Sequence, residues 1–332
     1  ASEPGTKIVT KTDRPIATYG SLFSGVGGFD MGFDQAGFRC VFQVEKDEDC
    51  LQVLSHHWSD VPKWDDICQV SGHELPPCDI LIFGSPCQDI SKVGKATGLE
   101  GTKSALFFEA LRVIREMQDA TNGTFPRIVV WENVANAIRS NQGSDFATII
   151  DEMAAIGTMA IEWHILDAQH FGIAQRRRRL FATFVIDPDF GSRCPNQIFP
   201  IQQSDHRCGA QGRVSISKDS EDFDDLDESL VLAFDSNFGG FARFQNNIAP
   251  TLKVGGQFVG NPPAIVRFGE RPRKLLPIEC ERLMGWPDNH TLHRADGTTS
   301  TDQARYRMCG NGVVAPVAAW IAKHIKQAFF TE

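Results

Sequence analysis

The sequence predicts an α/β fold built on a mostly parallel sheet, joined to a second, smaller and irregular β-rich region. Three observations carry that expectation. From residue 16 to 186, short β-branched or apolar runs alternate with helical patterns, the arrangement that lays helices over a parallel sheet. After Ile186 the texture shifts to Pro188, Gly191, Pro195 and Pro200, then to Gly239, Gly240, Gly255, Gly256 and Gly260 among short Phe- and Val-bearing segments. The 332 residues suit two domains or one large domain with an insertion, and 42% hydrophobic with 23% charged residues is ordinary globular usage.

Taken in order, the expected strands are Ile16 to Leu22, Arg39 to Val44, a weak one near Val61 to Trp64, Asp79 to Phe83, Arg127 to Trp131, Met159 to Leu166 and Leu180 to Ile186. Between the fourth and fifth, Ser104 to Met117 carries Phe107, Ala110, Leu111 and Ile114 at helical spacing, one apolar face for covering a sheet. Helical signals return at Pro277 to Met284 and at Val313 to Ala328, where Val317, Ile321, Ile325 and Ala328 share a face. The simplest place for that terminal helix is back on the first domain.

Composition excludes several classes. No stretch reaches 18 uncharged apolar residues, and Glu3, Lys7, Lys11, Asp13 and Arg14 occupy the first fifteen positions, so a soluble cytoplasmic protein without a membrane segment is expected. Nine cysteines without a Cys-x-x-Cys pair give neither a zinc spacing nor a disulfide framework; no metal is expected. The net charge of −9 falls to −2 without Asp219, Glu221, Asp222, Asp224, Asp225, Asp227 and Glu228. Basic residues cluster at Arg176 to Arg179 and from Arg267 to Arg282, so global acidity leaves room for a basic, nucleic-acid-facing surface.

Parallel strands present their carboxyl ends to one rim, where open α/β sheets bind ligands. The first strand runs into Phe23-Ser24-Gly25-Val26-Gly27-Gly28, the second ends at Glu45, and Asp66-Ile67 follows the third. The fourth ends in Gly84-Ser85-Pro86-Cys87-Gln88 and the fifth in Glu132-Asn133-Val134. A dinucleotide fingerprint would need glycine where Asp30 stands, so an adenosyl ligand without a pyrophosphate fits the turn better. Glu45 is placed to accept from ribose hydroxyls and Asp66 from an exocyclic amine. Cys87, just past an apolar strand, is a candidate nucleophile and Glu132 a candidate acid facing a heterocycle. In Gln175-Arg176-Arg177-Arg178-Arg179 the alternate Arg177 and Arg179 share a side, and Ser91 to Gly98 is a small basic loop able to close over a substrate.

Together these residues resemble the cytosine-C5 DNA methyltransferase family of bacterial or phage modification enzymes, in family order across residues 16 to 328. Phe23 to Gly28 looks like its S-adenosylmethionine loop, Ser85-Pro86-Cys87-Gln88 its nucleophile motif, Glu132-Asn133-Val134 its acid motif, and Gln175 with Arg177 and Arg179 its Gln-x-Arg-x-Arg motif. Glu281-Arg282-Leu283-Met284-Gly285-Trp286-Pro287 and Gly310-Asn311-Gly312-Val313-Val314 resemble its two late motifs. The resemblance implies a Rossmann-like S-adenosylmethionine-dependent domain at 1–190 and 305–332, a target-recognition domain at 191–272 containing a Thr251-Leu252 element, and a hinge at 273–304.

It further implies a covalent mechanism on double-stranded DNA. A flipped cytosine would be attacked at C6 by Cys87, with Glu132 at N3, Arg177 holding base and acid, and Arg179 supporting. Phe23, Gly25, Gly27, Glu45, Asp66, Ile67, Pro86, Leu106 and Asn311 would hold S-adenosylmethionine, giving S-adenosylhomocysteine as product. Gln88, Ser91, Lys92, Thr251 and Leu252 would meet DNA. The resemblance also implies action as a monomer and a cognate restriction endonuclease. Two positions depart from the family pattern: Lys46 stands where some members have an aromatic residue, and Gly312 where many have serine. A tRNA-methylating relative lacks support because its Cys-Phe-Thr signature is missing. A silent binding module would have lost Cys87 or Glu132, and an NAD oxidoreductase is disfavoured by Asp30.

Overall fold

The computed structural model describes residues 16–85, 105–200, 231–234, 244–246, 248–252, 264–267 and 273–331. Its main sheet consists of β1 (Thr18–Leu22), β2 (Arg39–Val44), β3 (Lys63–Trp64), β4 (Ile80–Gly84), β5 (Ile128–Val134), β6 (Ala160–Asp167) and β7 (Arg178–Val185). Their order across the sheet is β3-β2-β1-β4-β5-β7-β6, parallel except for β7, which runs against both neighbours. The reversal has a local cause: only a 3-10 turn at Ala168–Phe171 and a few further residues separate β6 from β7, too little for the crossover that a parallel neighbour requires.

Alternation along the central strands builds a core on each face. Tyr19, Ile80, Ile82, Ile128 and Val130 pack into one cluster, and Leu22, Leu81, Phe83, Val129 and Trp131 into the other. The second cluster is covered by α3 (Ala105–Ala120), whose Phe107, Ala110, Leu111 and Ile114 form the expected apolar face, and by α4 (Ser144–Ala155). Over the first lie the short α5 (Pro188–Ser192), through Phe190, and α1 (Gly28–Gln35), against which the late helix α8 (Ala315–Ile325) returns. Gly32 permits that approach, since a Cβ there would stand 2.4 Å from the Ala318 Cβ.

Helices α2 (Glu48–His57) and α7 (Asp302–Asn311) connect the rim to the rest of the fold. Asp47 caps α2 by accepting from the Cys50 N–H at 3.2 Å, and Thr301 caps α7 by accepting from Ala304 at 3.3 Å. Arg307, midway along α7, pairs with Asp47 and with Asp49, at 2.7 Å to the latter, so α7 is tied to the start of α2. Between them α6 (Pro277–Leu283) starts on a proline, whose fixed φ suits a first turn. Its Glu281 is fully buried and accepts from Arg305, Thr291 and Asn289.

A second sheet of four short strands, β8 (Val231–Phe234), β9 (Phe244–Asn246), β10 (Ala264–Arg267) and β11 (Arg273–Lys274), is antiparallel in the order β11-β10-β8-β9. It supplies the irregular β region expected from the glycine-rich segments. Among the described residues, no helix is long and apolar enough to cross a membrane, and no group of three or more His, Cys, Asp or Glu could hold a metal. The acidic run from 219 to 228 lies outside the described residues.

Candidate active site at the carboxyl rim of the sheet

The sheet order changes direction at β1, with β2 on one side and β4 on the other, and this is where an α/β sheet opens a crevice. The turn from β1 into α1 bends through three left-handed residues, Phe23 at φ 52°, Gly25 at 57° and Gly27 at 81°. Two of these being glycine removes the Cβ penalty of that conformation. Gly25 has a second property: a Cβ built there meets nothing within 4 Å among the described residues. Gly27 is closed instead, with the Trp58 indole 2.3 Å from where a Cβ would stand.

Glu45 faces this turn. Its carboxylate accepts the Gly25 N–H at 2.7 Å and the Asp47 N–H at 2.8 Å. Burial raises its pKa while those N–H groups oppose the rise. Each oxygen retains a lone pair, so the carboxylate can still accept from ribose hydroxyls beside Gly25. Asp66 accepts from Lys46 Nζ at 2.8 Å and the Cys68 N–H at 3.0 Å, and the Lys46 bond lowers its pKa. The lysine that departs from the family pattern is therefore the partner of the acid expected at an adenine. Ile67 is a core residue, 4% exposed, and its carbonyl accepts from Arg112 at 2.8 Å. Phe23 and Leu106 are half-buried against the core under α3, while Asn311 ends α7 as an exposed residue.

The chemistry-bearing end lies two strands away. Gly84 of β4 is the register partner of Glu132 on β5, and a Cβ at Gly84 would stand 3.0 Å from Glu132 Oε2. Glycine therefore makes room for the carboxyl. Arg179 pairs with Val134 across β5 and β7, which makes it the diagonal neighbour of Glu132 on the same face; its Nε lies 3.3 Å from Glu132 Oε1. Burial raises the Glu132 pKa, against the lowering by Arg179 and, more weakly, Arg177. Ser85 is held from β5: its Oγ accepts from Trp131 Nε1 at 3.0 Å and its carbonyl from Asn133 Nδ2 at 3.2 Å. Pro86, Cys87, Gln88, Ser91 and Lys92 lie outside the described residues.

Arg177 and Arg179 do share a side, as their spacing implies, but their surroundings divide the work differently from the expectation. Arg177 is 3% exposed and donates to the carbonyls of Leu252 at 3.2 Å, Gly310 at 3.1 Å and Gly312 at 2.7 Å. It ties the Thr251-Leu252 segment to the end of α7, whereas the direct ion pair to Glu132 belongs to Arg179. Leu252, expected at DNA, instead buries its side chain to 4% exposure in the first core cluster. A leucine released from that core into water would lose its apolar burial. Thr251 is half-buried and donates from Oγ1 to the Arg176 carbonyl at 2.5 Å. The sequence names Gly84 only as part of a strand end and gives no sign of Trp58 or Arg307, because the roles of all three depend on cross-strand register and long-range contacts that spacing does not encode.

Comparison with known proteins adds to this geometry. The family model described as C-5 cytosine-specific DNA methylase matches residues 17–238 and 211–327. The type II methyltransferase M.HhaI of Haemophilus parahaemolyticus is 28% identical over 319 residues, covering 92% of this chain and 92% of its own. The type II methyltransferase M2.BsuMI of Bacillus subtilis (strain 168) is 29% identical over 321 residues, covering 92% of this chain and 75% of its own. Among solved structures, the S. pombe Dnmt2 methyltransferase superposes with a TM-score of 0.62 at 16% identity, covering 95% of this chain and all of that one. At that identity it speaks for the fold.

Proposed function

Because this chain belongs to the C-5 cytosine-specific DNA methylase family, we propose that it methylates C5 of a cytosine flipped from duplex DNA, through a covalent bond between Cys87 and C6. The observation that carries the reading is the Glu132–Arg179 pair beside Gly84, one residue before the serine that leads into Pro86-Cys87. A cytosine inside the helix is out of reach of any such pair, hence the need for flipping.

Cys87 adds as a thiolate to C6, forming the C–S bond while the ring electrons move toward N3. Glu132, kept protonated toward higher pH by burial, donates to N3 and stabilises the resulting enamine. Arg179 fixes the carboxyl and offers its remaining N–H groups to the base, while Arg177 acts as a structural tie. S-adenosylmethionine, when bound, supplies the electrophilic methyl group that C5 takes up. Solvent water then takes the C5 proton, the C–S bond breaks with Cys87 leaving as thiolate, and N3 returns its proton to Glu132, which restores the aromatic ring. Phe23, Gly25, Gly27, Glu45, Asp66, Ile67, Pro86, Leu106 and Asn311 would hold the cofactor. The acceptor pair of Glu45, and the lack of any described residue within 4 Å of a Cβ at Gly25, support placing its adenosyl part there. Gln88, Ser91, Lys92 and Thr251 would meet the DNA, with 191–272 as the target-recognition domain. A monomer with a cognate restriction endonuclease completes the reading.

The test is transfer of labelled methyl from S-adenosylmethionine to unmodified duplex DNA, with the product nucleoside identified. The expected product is 5-methylcytosine at one short sequence, with Glu132→Gln slowing transfer by roughly 10²-fold or more. Label on RNA alone, or an undiminished rate in Glu132→Gln, would refute the proposal.

A further inference from the structure

We propose that His290 is a positioning residue of the Gly-rich turn: it holds the Val26 carbonyl and thereby fixes the peptide plane on which the cofactor site is built. The proposal rests on the reading that this turn binds the S-adenosyl group. His290 is 3% exposed, and its Nε2 lies 2.7 Å from the Val26 oxygen. A carbonyl can only accept, so Nε2 carries the proton. The N–H at the other end of the same peptide, on Gly27, donates to the Ser24 carbonyl at 2.9 Å. With both ends of the Val26–Gly27 peptide bonded, that plane cannot rotate, and the neighbouring Gly25 N–H keeps its direction toward Glu45.

The tie extends to the opposite wall. His57, the last residue of α2, places its Nε2 2.7 Å from the His290 carbonyl, and the two rings stack with centroids 4.1 Å apart and planes 13° off parallel. Helix α2 begins beside Asp47, whose N–H bonds Glu45. One chain of contacts therefore runs from the acid through α2 and two histidines to the turn. The groups around His290 are His57 and His56 from α2, Glu281 from α6, and the indoles of Trp58 and Trp286. Glu281 is already occupied by Arg305. Burial, with His57 beside it, holds the His290 pKa down to about 4, so at neutral pH the ring is uncharged and its single proton is committed to Val26.

A phenylalanine would fill the same space without the donor, and a glutamine would keep a donor. The test uses the full chain as wild type, His290→Phe and His290→Gln. Calorimetric titration with S-adenosylhomocysteine is paired with steady-state transfer in which S-adenosylmethionine and DNA are varied separately. The expected result is a roughly tenfold weaker Kd and higher cofactor KM in His290→Phe, with kcat and the DNA KM near wild type, and recovery in His290→Gln. Wild-type binding by His290→Phe, or equal loss in both variants, would overturn the proposal. If His290→Phe does not fold, His290→Gln decides alone: near-wild-type affinity supports the donor role and loss refutes it. A wild-type chain that binds no S-adenosylhomocysteine would overturn the reading of the turn itself, a different outcome from a defect confined to the variants.

Discussion

Glu132 owes its setting to three residues: Gly84 of β4 leaves space, Arg179 of β7 pairs with it, and Arg177, just before β7, adds a weaker positive charge. Removing Arg179 takes away the nearest cation that lowers the Glu132 pKa, so that pKa rises further. In Arg179→Ala, kcat should fall by roughly 10²-fold, and the alkaline limb set by ionisation of Glu132 should move to higher pH, with little loss of stability. Arg177→Ala should behave oppositely, because it strips the donor from three main-chain carbonyls. Urea unfolding should show it destabilised by about 3 kcal/mol or more. Equal stability of the two variants would contradict the division of labour between them.

At the scale of elements, α1 presents a fully buried carboxyl to the sheet. Asp30 is fully buried, accepting from Ser21 Oγ at 3.1 Å and Gln43 Nε2 at 2.9 Å, and burial raises its pKa to about 7. A raised carboxyl pKa means the folded state holds a proton that the unfolded state has released, between the ordinary value of 3.8 and about 7. Its contribution is therefore greatest at low pH and is lost as pH rises through that window, by about 1.4 kcal/mol per pH unit. Asp30→Asn should remove this slope: its stability relative to wild type should increase from pH 4 to pH 7 and then level off. A difference independent of pH, measured by unfolding at several pH values, would contradict the assignment.

The same residue shows what the sequence could reveal and what it could not. Asp30 was legible as the break in a dinucleotide fingerprint, because that inference needs only spacing. Its burial against Ser21 and Gln43 was not, because those contacts depend on how β1, β2 and α1 come together. Strands β1, β4, β5 and β7 were legible for a related reason: nearly all their residues are buried, so each reads as an apolar run bounded by turns. The helix α7 was missed because its inward face carries Arg305 beside Met308 and Cys309, a charge that hides the apolar stripe.

On the scale of the whole molecule, late sequence folds back to complete an early site. Helix α8 packs on α1, Arg307 joins α7 to the start of α2, and Arg177 joins the Thr251-Leu252 segment to Gly310 and Gly312. The proposed catalysis needs this closure, since the rim residues come from strands far apart in sequence. The most direct test of the covalent reading uses duplex DNA with 5-fluorocytosine at the methylated position, incubated with the protein and S-adenosylmethionine. Fluorine at C5 cannot leave as a proton, so elimination is blocked after methyl transfer. The account predicts a complex that survives denaturation, with the base mapped to Cys87 and no complex in Cys87→Ser. Methyl transfer to ordinary DNA without any trapped complex, or trapping that persists in Cys87→Ser, would contradict it.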